Sequence, residues 1–199
     1  MLQHPIPPLY DSDSRVLILG SFPSPKSREA GFFYGHPQNR FWKVMAAVLD
    51  WKGAEGQDAV PGNAGEQGIY VPRTTEEKSA MLHACHVAVW DTIASCDITG
   101  ASDASITNVT PNDLSVILDS AQIQGIYCNG ARSHELYMKY IYPVTGRKAG
   151  RLPSTSPANA ACSLQKLTEA WSCIRKDLGI LQGTGMSCAS PADRVQLDP

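Results

Sequence analysis

Short apolar runs alternate along this chain with segments of helical periodicity, and that alternation restricts the fold more than any other feature. Arg15 to Phe22 reads as a strand, Val87 to Trp90 as a second ending at Asp91, Gly125 to Asn129 as a third and Gly150 to Ser154 as a fourth. Between them, Arg40 to Leu49 places Phe41, Val44, Met45, Val48 and Leu49 on one helical face. Thr74 and Glu77 have capping-box spacing for a helix running to about His83. Thr110, Pro111 and Asp113 predict another helix start, with Leu114, Ile117 and Leu118 turned inward. A helix is expected around Ser133 to Tyr140, and Ser156-Pro157 is expected to cap a last one striped by Leu164, Leu167, Trp171, Ile174 and Leu178. Strands alternating with helices argue for an α/β fold with a mostly parallel sheet covered on both faces.

At 199 residues and 43% hydrophobic, the chain has material for one sizeable core. A single domain over residues 1–182 is expected, with a small, polar, disordered tail over 183–199. Trp51 to Arg73 is rich in Gly, Ala and Gln and reads as a surface excursion. No apolar run is long enough to span a membrane, and Met1 to Tyr10 lacks the basic start and apolar block of a signal peptide, so the expected location is cytoplasmic. The six cysteines form no C-x-x-C pair, and Cys85, Cys128 and Cys173 fall in apolar segments, which predicts reduced, mostly buried thiols. His83, Cys85 and His86 do not have the spacing of a common metal site, and neither a metal nor a cofactor is expected.

A net charge of -2 carries no global nucleic-acid signature, but its distribution is uneven. No acidic residue lies between Glu135 and Glu169, where Lys139, Arg147, Lys148, Arg151 and Lys166 fall. The interval from Glu29 to Asp50 is also free of acids and holds Arg40 and Lys43. These intervals read either as a solvated basic surface or, if they share a face, as a phosphate footprint.

In folds of this class ligands bind beyond the carboxyl ends of the strands. The residues there are Gly20-Ser21-Phe22-Pro23-Ser24, Asp91-Thr92, Asn129-Gly130 and Pro153-Ser154-Thr155-Ser156-Pro157-Ala158-Asn159. None forms a G-x-G-x-x-G or a P-loop, so the usual nucleotide fingerprints are missing. The first connection is much longer than a crossover needs. Its prolines and glycines, with His36-Pro37, are expected to fix its path. Phe41 and Trp42 are expected in the core. Asn39 can be read as an ordinary cap for the following helix or as a chemical group.

Five segments, G-S-F-P-S, Y-G-H-P-Q-N-R-F-W, V-W-D-T-I, Y-C-N-G and L-P-S-T-S-P-A-N-A, resemble the uracil-DNA glycosylase superfamily in order and placement. Within it the chain is most similar to hypoxanthine-DNA (deoxyinosine) glycosylases, over roughly Arg15 to Leu178. The resemblance implies a three-layer α/β/α fold with a central four-stranded parallel sheet. It implies a monofunctional glycosylase of base excision repair that hydrolyses the N-glycosidic bond of a deaminated base and leaves an abasic site. Hypoxanthine is the first candidate, uracil and xanthine the others. The partner would be DNA containing deaminated bases, and the protein a monomer.

On the same resemblance Asn39 is the catalytic residue. Phe22 stands where most relatives carry an acid or amide, and Leu152 where many carry a histidine. An amide is too weak a base to deprotonate water, so Asn39 would hold a water for an oxocarbenium-like sugar formed as the base departs. Ser21 and Phe22 would offer backbone N–H groups to a base carbonyl, and Phe22, Phe33 and Tyr34 would wall the base. Asp91 would accept from a base N–H, or else serve as a cap or structural partner, and Asn129 has the same standing. Ser154, Thr155 and Ser156, with Arg147, Lys148 and Arg151, would contact the DNA backbone. Some superfamily branches bind an iron-sulfur cluster, but no cysteine precedes the first strand here and none is expected. The competing possibility is a non-catalytic nucleotide or nucleic-acid binding module of the same fold.

Overall fold

Val16–Gly20 (β2) is buried along its whole length, so this strand must be covered on both faces. In the computed structural model, which describes residues 1–54, 68–100 and 102–180, that is the arrangement. β2 pairs in parallel with Val87–Asp91 (β3) on one side and Gly125–Asn129 (β6) on the other, and Gly150–Leu152 (β7) adds to β6, giving the order β3-β2-β6-β7. The two-residue period of the strands divides the core. Val16 and Ile18 of β2, with Val87, Val89 and Leu152, face a core closed by Phe41–Val48 (α2), Thr75–Ala84 (α3), Leu164–Trp171 (α7) and Ile174–Asp177 (α8). Leu17 and Leu19, with Ala88, Ile126 and Cys128, face Ile117 of Ser115–Leu118 (α4) and, beyond Ala131–Leu136 (α5), Tyr137 and Ile141. The expected three-layer α/β/α fold around four parallel strands is the observed one.

The alternation of strand and helix concealed a second, antiparallel sheet. Leu2–Gln3 (β1) pairs with Ile93–Asp97 (β4), which pairs with Thr107–Pro111 (β5). Only Thr92 separates β3 from β4, so the chain passes directly from one sheet to the other at the carboxyl edge. The helix expected to open at Thr110 is therefore displaced: Thr110 and Pro111 end an edge strand, where a proline costs no inner ladder bond. The helix starts at Ser115, whose N–H donates to Asp113 Oδ1 at 3.0 Å.

The last helix starts late as well. Thr74 forms its capping box with Glu77 as predicted, but Ser156-Pro157 caps no helix; Ser163 caps α7 by accepting from Lys166 N. The carbonyls of Ser156, Asn159 and Cys162 all accept from the Arg40 guanidinium, and those of Ser156 and Asn159 otherwise close only single turns with Asn159 N and Cys162 N. Arg40 thereby holds residues 156–162 in turns against the start of α2. The predicted fourth strand ends at Leu152, two residues early. Within the predicted stripe Leu167, Trp171, Ile174 and Leu178 are buried and Leu164 is exposed. Cys85, Cys96 and Cys128 are buried, whereas Cys173 is exposed, and all five described cysteines are free thiols. Trp51, Ile69 and Tyr70 are core residues, so the ends of the expected surface excursion belong to the interior. Residues 55–67 of it, and the tail predicted over 183–199, lie outside the described residues. Among the described residues no helix is long and apolar enough to cross a membrane.

Candidate active site

Strand register brings the site together. Gly20 stands beside Asp91 in the β2–β3 ladder, Leu19 beside Cys128 in the β2–β6 ladder, and Asn129 beside Leu152 in the β6–β7 ladder. Gly20, Asp91 and Asn129 thus form one row at the carboxyl end of the sheet. Above it opens a cavity of about 500 Å³, lined among others by Ser21, Phe22, Phe33, Tyr34, Asn39, Asp91, Asn129, Ser154 and Ser156. The strand-end segments quoted from the sequence meet there.

Two glycines make the row possible. A Cβ on Gly20 would lie 2.1 Å from Asp91 Oδ1 and 3.4 Å from the Tyr34 hydroxyl. Gly130 has φ +104°, and a Cβ there would press to 3.1 Å against Ser154 Cβ.

Asn39 is held at the cavity wall by its amide oxygen, one residue ahead of Arg40, the N-cap of α2. Its Oδ1 accepts from Phe41 N at 3.0 Å, an Asx turn leading into α2, and from Thr155 Oγ1 at 2.9 Å. Phe41 N–H can only donate, so it identifies Oδ1 as the oxygen; with both lone pairs taken, the amide presents Nδ2, which has no partner among the described residues. Thr155, fully buried, is in turn held by Asn129: Asn129 Nδ2 donates to Thr155 Oγ1 at 2.9 Å, and Thr155 N donates to Asn129 Oδ1 at 3.0 Å. Thr155 therefore stands behind the cavity wall and orients Asn39 rather than meeting a ligand. Ser154 and Ser156 do line the cavity, but in turns, with Ser154 Oγ accepting from Ser156 N at 3.2 Å. No helix starts at these two serines; the helix start that lines the cavity is that of Pro25–Ala30 (α1), through Ser24 and Ser27.

The rings take separate positions. Tyr34 stacks on Phe41 with centroids 3.8 Å apart, which uses one face for the core. Its backbone is left-handed, φ 52°, a conformation that a bulky residue holds only under tertiary constraint. Its hydroxyl is buried with no hydrogen bond of normal geometry, and burial, then the nearby Asp91 charge, drives it well above the usual phenol range, against the Asn129 amide beside it. Phe22 and Phe33 are buried at the cavity wall, and the Arg28 guanidinium lies 5.8 Å over the Phe22 ring. Phe41 and Trp42 are core residues, as expected.

Leu152, expected from the resemblance to stand in the place of a histidine, is packed in the α2–α7 core and does not line the cavity. Arg147 donates to the Ile123 carbonyl and, like the exposed Lys148, precedes the amino end of β7, the end away from the cavity. Arg151 is exposed within β7. These three are not gathered at the cavity mouth.

Two site residues escaped the sequence reading. His4 Nε2 lies 2.8 Å from Asp91 Oδ2, with both side chains buried. Asp103, in a short 3-10 turn before β5, stands exposed on the rim but turns its carboxylate inward, where Ser21 Oγ donates to it at 2.7 Å. Desolvation of that carboxyl group raises it above the usual carboxylate range, and Asp91 adds to the rise, against Ser21 and Arg132. A carboxyl group so raised favours the fold at low pH, and that contribution is lost as pH climbs through its folded value. Asp103→Asn, which keeps an acceptor for Ser21, should therefore melt no lower than the parent at neutral pH, the difference closing in acid. Melting curves across pH check this; a variant less stable only at neutral pH would show that the charge is net stabilising. Among the described residues no three His, Cys, Asp or Glu side chains are grouped to hold a metal ion.

The pattern of the Uracil DNA glycosylase superfamily matches residues 7–176. A hypoxanthine DNA glycosylase of Methanosarcina barkeri is 27% identical over 172 residues, covering 86% of this chain and 96% of the relative. One from Methanosarcina acetivorans is 25% identical over 174 residues, covering 87% and 98%. A solution NMR structure from M. acetivorans, bearing the name of a uracil DNA glycosylase, superposes with a TM-score of 0.69 at 25% identity over 90% of this chain and 99% of its own. The shared sheet, the five segments around one cavity and a match across most of the length lead to one assignment: the chain belongs to the uracil DNA glycosylase superfamily.

Proposed function

We propose that the protein is a monofunctional DNA glycosylase that hydrolyses the N-glycosidic bond of a deaminated base, hypoxanthine foremost, with uracil and xanthine as further substrates, and that it needs no cofactor. The observation that carries this reading is Asn39, fixed by two hydrogen bonds on the wall of a cavity large enough for a flipped base. The names of the two Methanosarcina relatives support hypoxanthine.

In this mechanism the base enters between Phe22, Phe33 and Tyr34, and Asp91 accepts its ring N–H. Hypoxanthine carries N1–H where adenine carries a lone pair, so a carboxylate acceptor favours the deaminated base over its parent. Backbone N–H groups about Ser21 and Phe22 stabilise the charge that grows on the departing base. The glycosidic bond breaks first, giving an oxocarbenium-like sugar. Asn39 Nδ2 donates to a water oxygen and leaves the other lone pair for C1′. Such a contact places the water without activating it, which is sufficient when the electrophile is a cation. The water's proton passes to solvent as the hemiacetal of the abasic site forms. Ser154 and Ser156, which line the cavity, contact the DNA backbone.

The test is one assay on oligonucleotides carrying hypoxanthine, uracil, xanthine or adenine, without added metal. Free base and an alkali-labile abasic site are expected from hypoxanthine and not from adenine. Retention of lesion DNA with no base released would instead support the binding-module reading, which the absence of an acid at Phe22 keeps in view.

A further inference from the structure

The amino-terminal segment delivers a side chain to the centre of the site. His4 N donates to the Ala94 carbonyl at 2.8 Å just beyond β1, which fixes its backbone alongside β4. Its ring is wedged edge-on against Phe22 at 5.9 Å and Trp90 at 6.3 Å between centroids. Ile6 N donates to Nδ1 at 3.2 Å, so that nitrogen carries the lone pair and the proton resides on Nε2, which donates to Asp91 Oδ2 at 2.8 Å. One carboxylate oxygen is thereby occupied. The other, Oδ1, lies over Gly20, in the same place that the Tyr34 hydroxyl approaches, with the Asn129 amide beside that hydroxyl.

We infer that His4 is a positioning residue of this site: it clamps Asp91 by Oδ2 so that Oδ1 and the Tyr34 hydroxyl stand as an acceptor beside a donor. That pair matches the O=C–N–H edge of a lactam base. The reversed pattern of an amidine edge, as in adenine, meets donor with donor and acceptor with acceptor. The inference rests on the glycosylase reading for its chemistry and extends it to the class of base edge recognised. It also makes residues 1–6 part of the recognition site, although no motif marks them.

The experiment compares duplexes carrying hypoxanthine or N1-methylhypoxanthine, the second lacking the N–H, in both binding and single-turnover release. The proteins are the parent, His4→Ala, His4→Gln, Asp91→Asn and the double variant His4→Ala/Asp91→Asn. The parent should favour hypoxanthine. His4→Ala should lower hypoxanthine release by about tenfold to a hundredfold, the usual cost of freeing an orienting partner, and shrink the preference. His4→Gln, whose side-chain amide can donate from near the Nε2 position, should recover most of both. On the Asp91→Asn background, His4→Ala should add nothing. The inference is overturned if His4→Ala keeps the parent's rate and preference, if both substrates fall equally with the preference intact, or if the two substitutions act additively. If His4→Ala does not fold, His4→Asn, too short to reach Asp91, replaces it. A parent that binds the lesion but releases no base refutes the glycosylase reading alone, and the clamp is then judged by whether His4→Ala loses the binding preference. A parent with no preference refutes the clamp.

Discussion

Asn39→Ala should lower single-turnover base release by about a hundredfold or more, on the order of 3 kcal/mol of barrier, while lesion binding changes little. The substitution removes Nδ2, the group that meets the water, and leaves the cavity rings and Asp91 in place. It also removes the oxygen that accepts from Phe41 N at the start of α2, so some stability is lost: a hydrogen bond that ties down a helix start is worth about 1 kcal/mol. The two effects separate in one experiment, because that bond contributes to melting temperature and not to chemistry in a folded protein. If the variant melts lower but releases base at the parent rate, Asn39 serves only the helix start, and the water must be held by another group on the cavity wall.

Thr155→Val should show how much of that effect depends on orientation. Valine fills nearly the same volume, but the hydroxyl that donates to Asn39 Oδ1 and accepts from Asn129 Nδ2 is gone. Asn129 Nδ2 and Asn39 Oδ1 both lose a partner at a fully buried residue, and the expected cost is about 1–3 kcal/mol of stability. Base release should fall by about tenfold or more as Asn39 loses the bond that fixes its amide plane. Thr155→Ser, which keeps the hydroxyl, should restore the rate. Equal rates in the valine and parent proteins would show that Phe41 N alone suffices to hold Asn39.

The parallel sheet was legible because β2 and β3 are near-continuous apolar runs, the pattern that burial on two faces imposes, while β6 alternates and the three-residue β7 carries an exposed Arg151. Ser21, Phe22, Asp91 and Asn129 were legible for a related reason: such sheets place ligands beyond their carboxyl ends, and these residues follow the strands. Asn39 was visible only through the resemblance, since by sequence alone it reads as a helix cap; in the structure Arg40 holds the N-cap position and Asn39 closes an Asx turn just before it. The antiparallel sheet was hidden because β5, Thr107–Pro111, is largely exposed and carries no apolar signal. The late start of α7 was hidden because Arg40, which holds residues 156–162 in turns, is remote from them in sequence. His4 and Asp103 gave no signal, for a partner across the fold leaves no spacing to read.

The bonds that build the site have one consequence for how activity is acquired. Ser21–Asp103, His4–Asp91 and Thr155–Asn39 span 82, 87 and 116 residues. Closing loops of that length costs chain entropy that local structure does not return, so these contacts form only once the sheet around them exists. In refolding, helical signal therefore appears before competence, and turnover is regained with the last tertiary step. No fragment of the chain holds a partial version of the site: cutting between β3 and β6 separates Asp91 from Asn129, and removing the first six residues leaves Asp91 without its clamp.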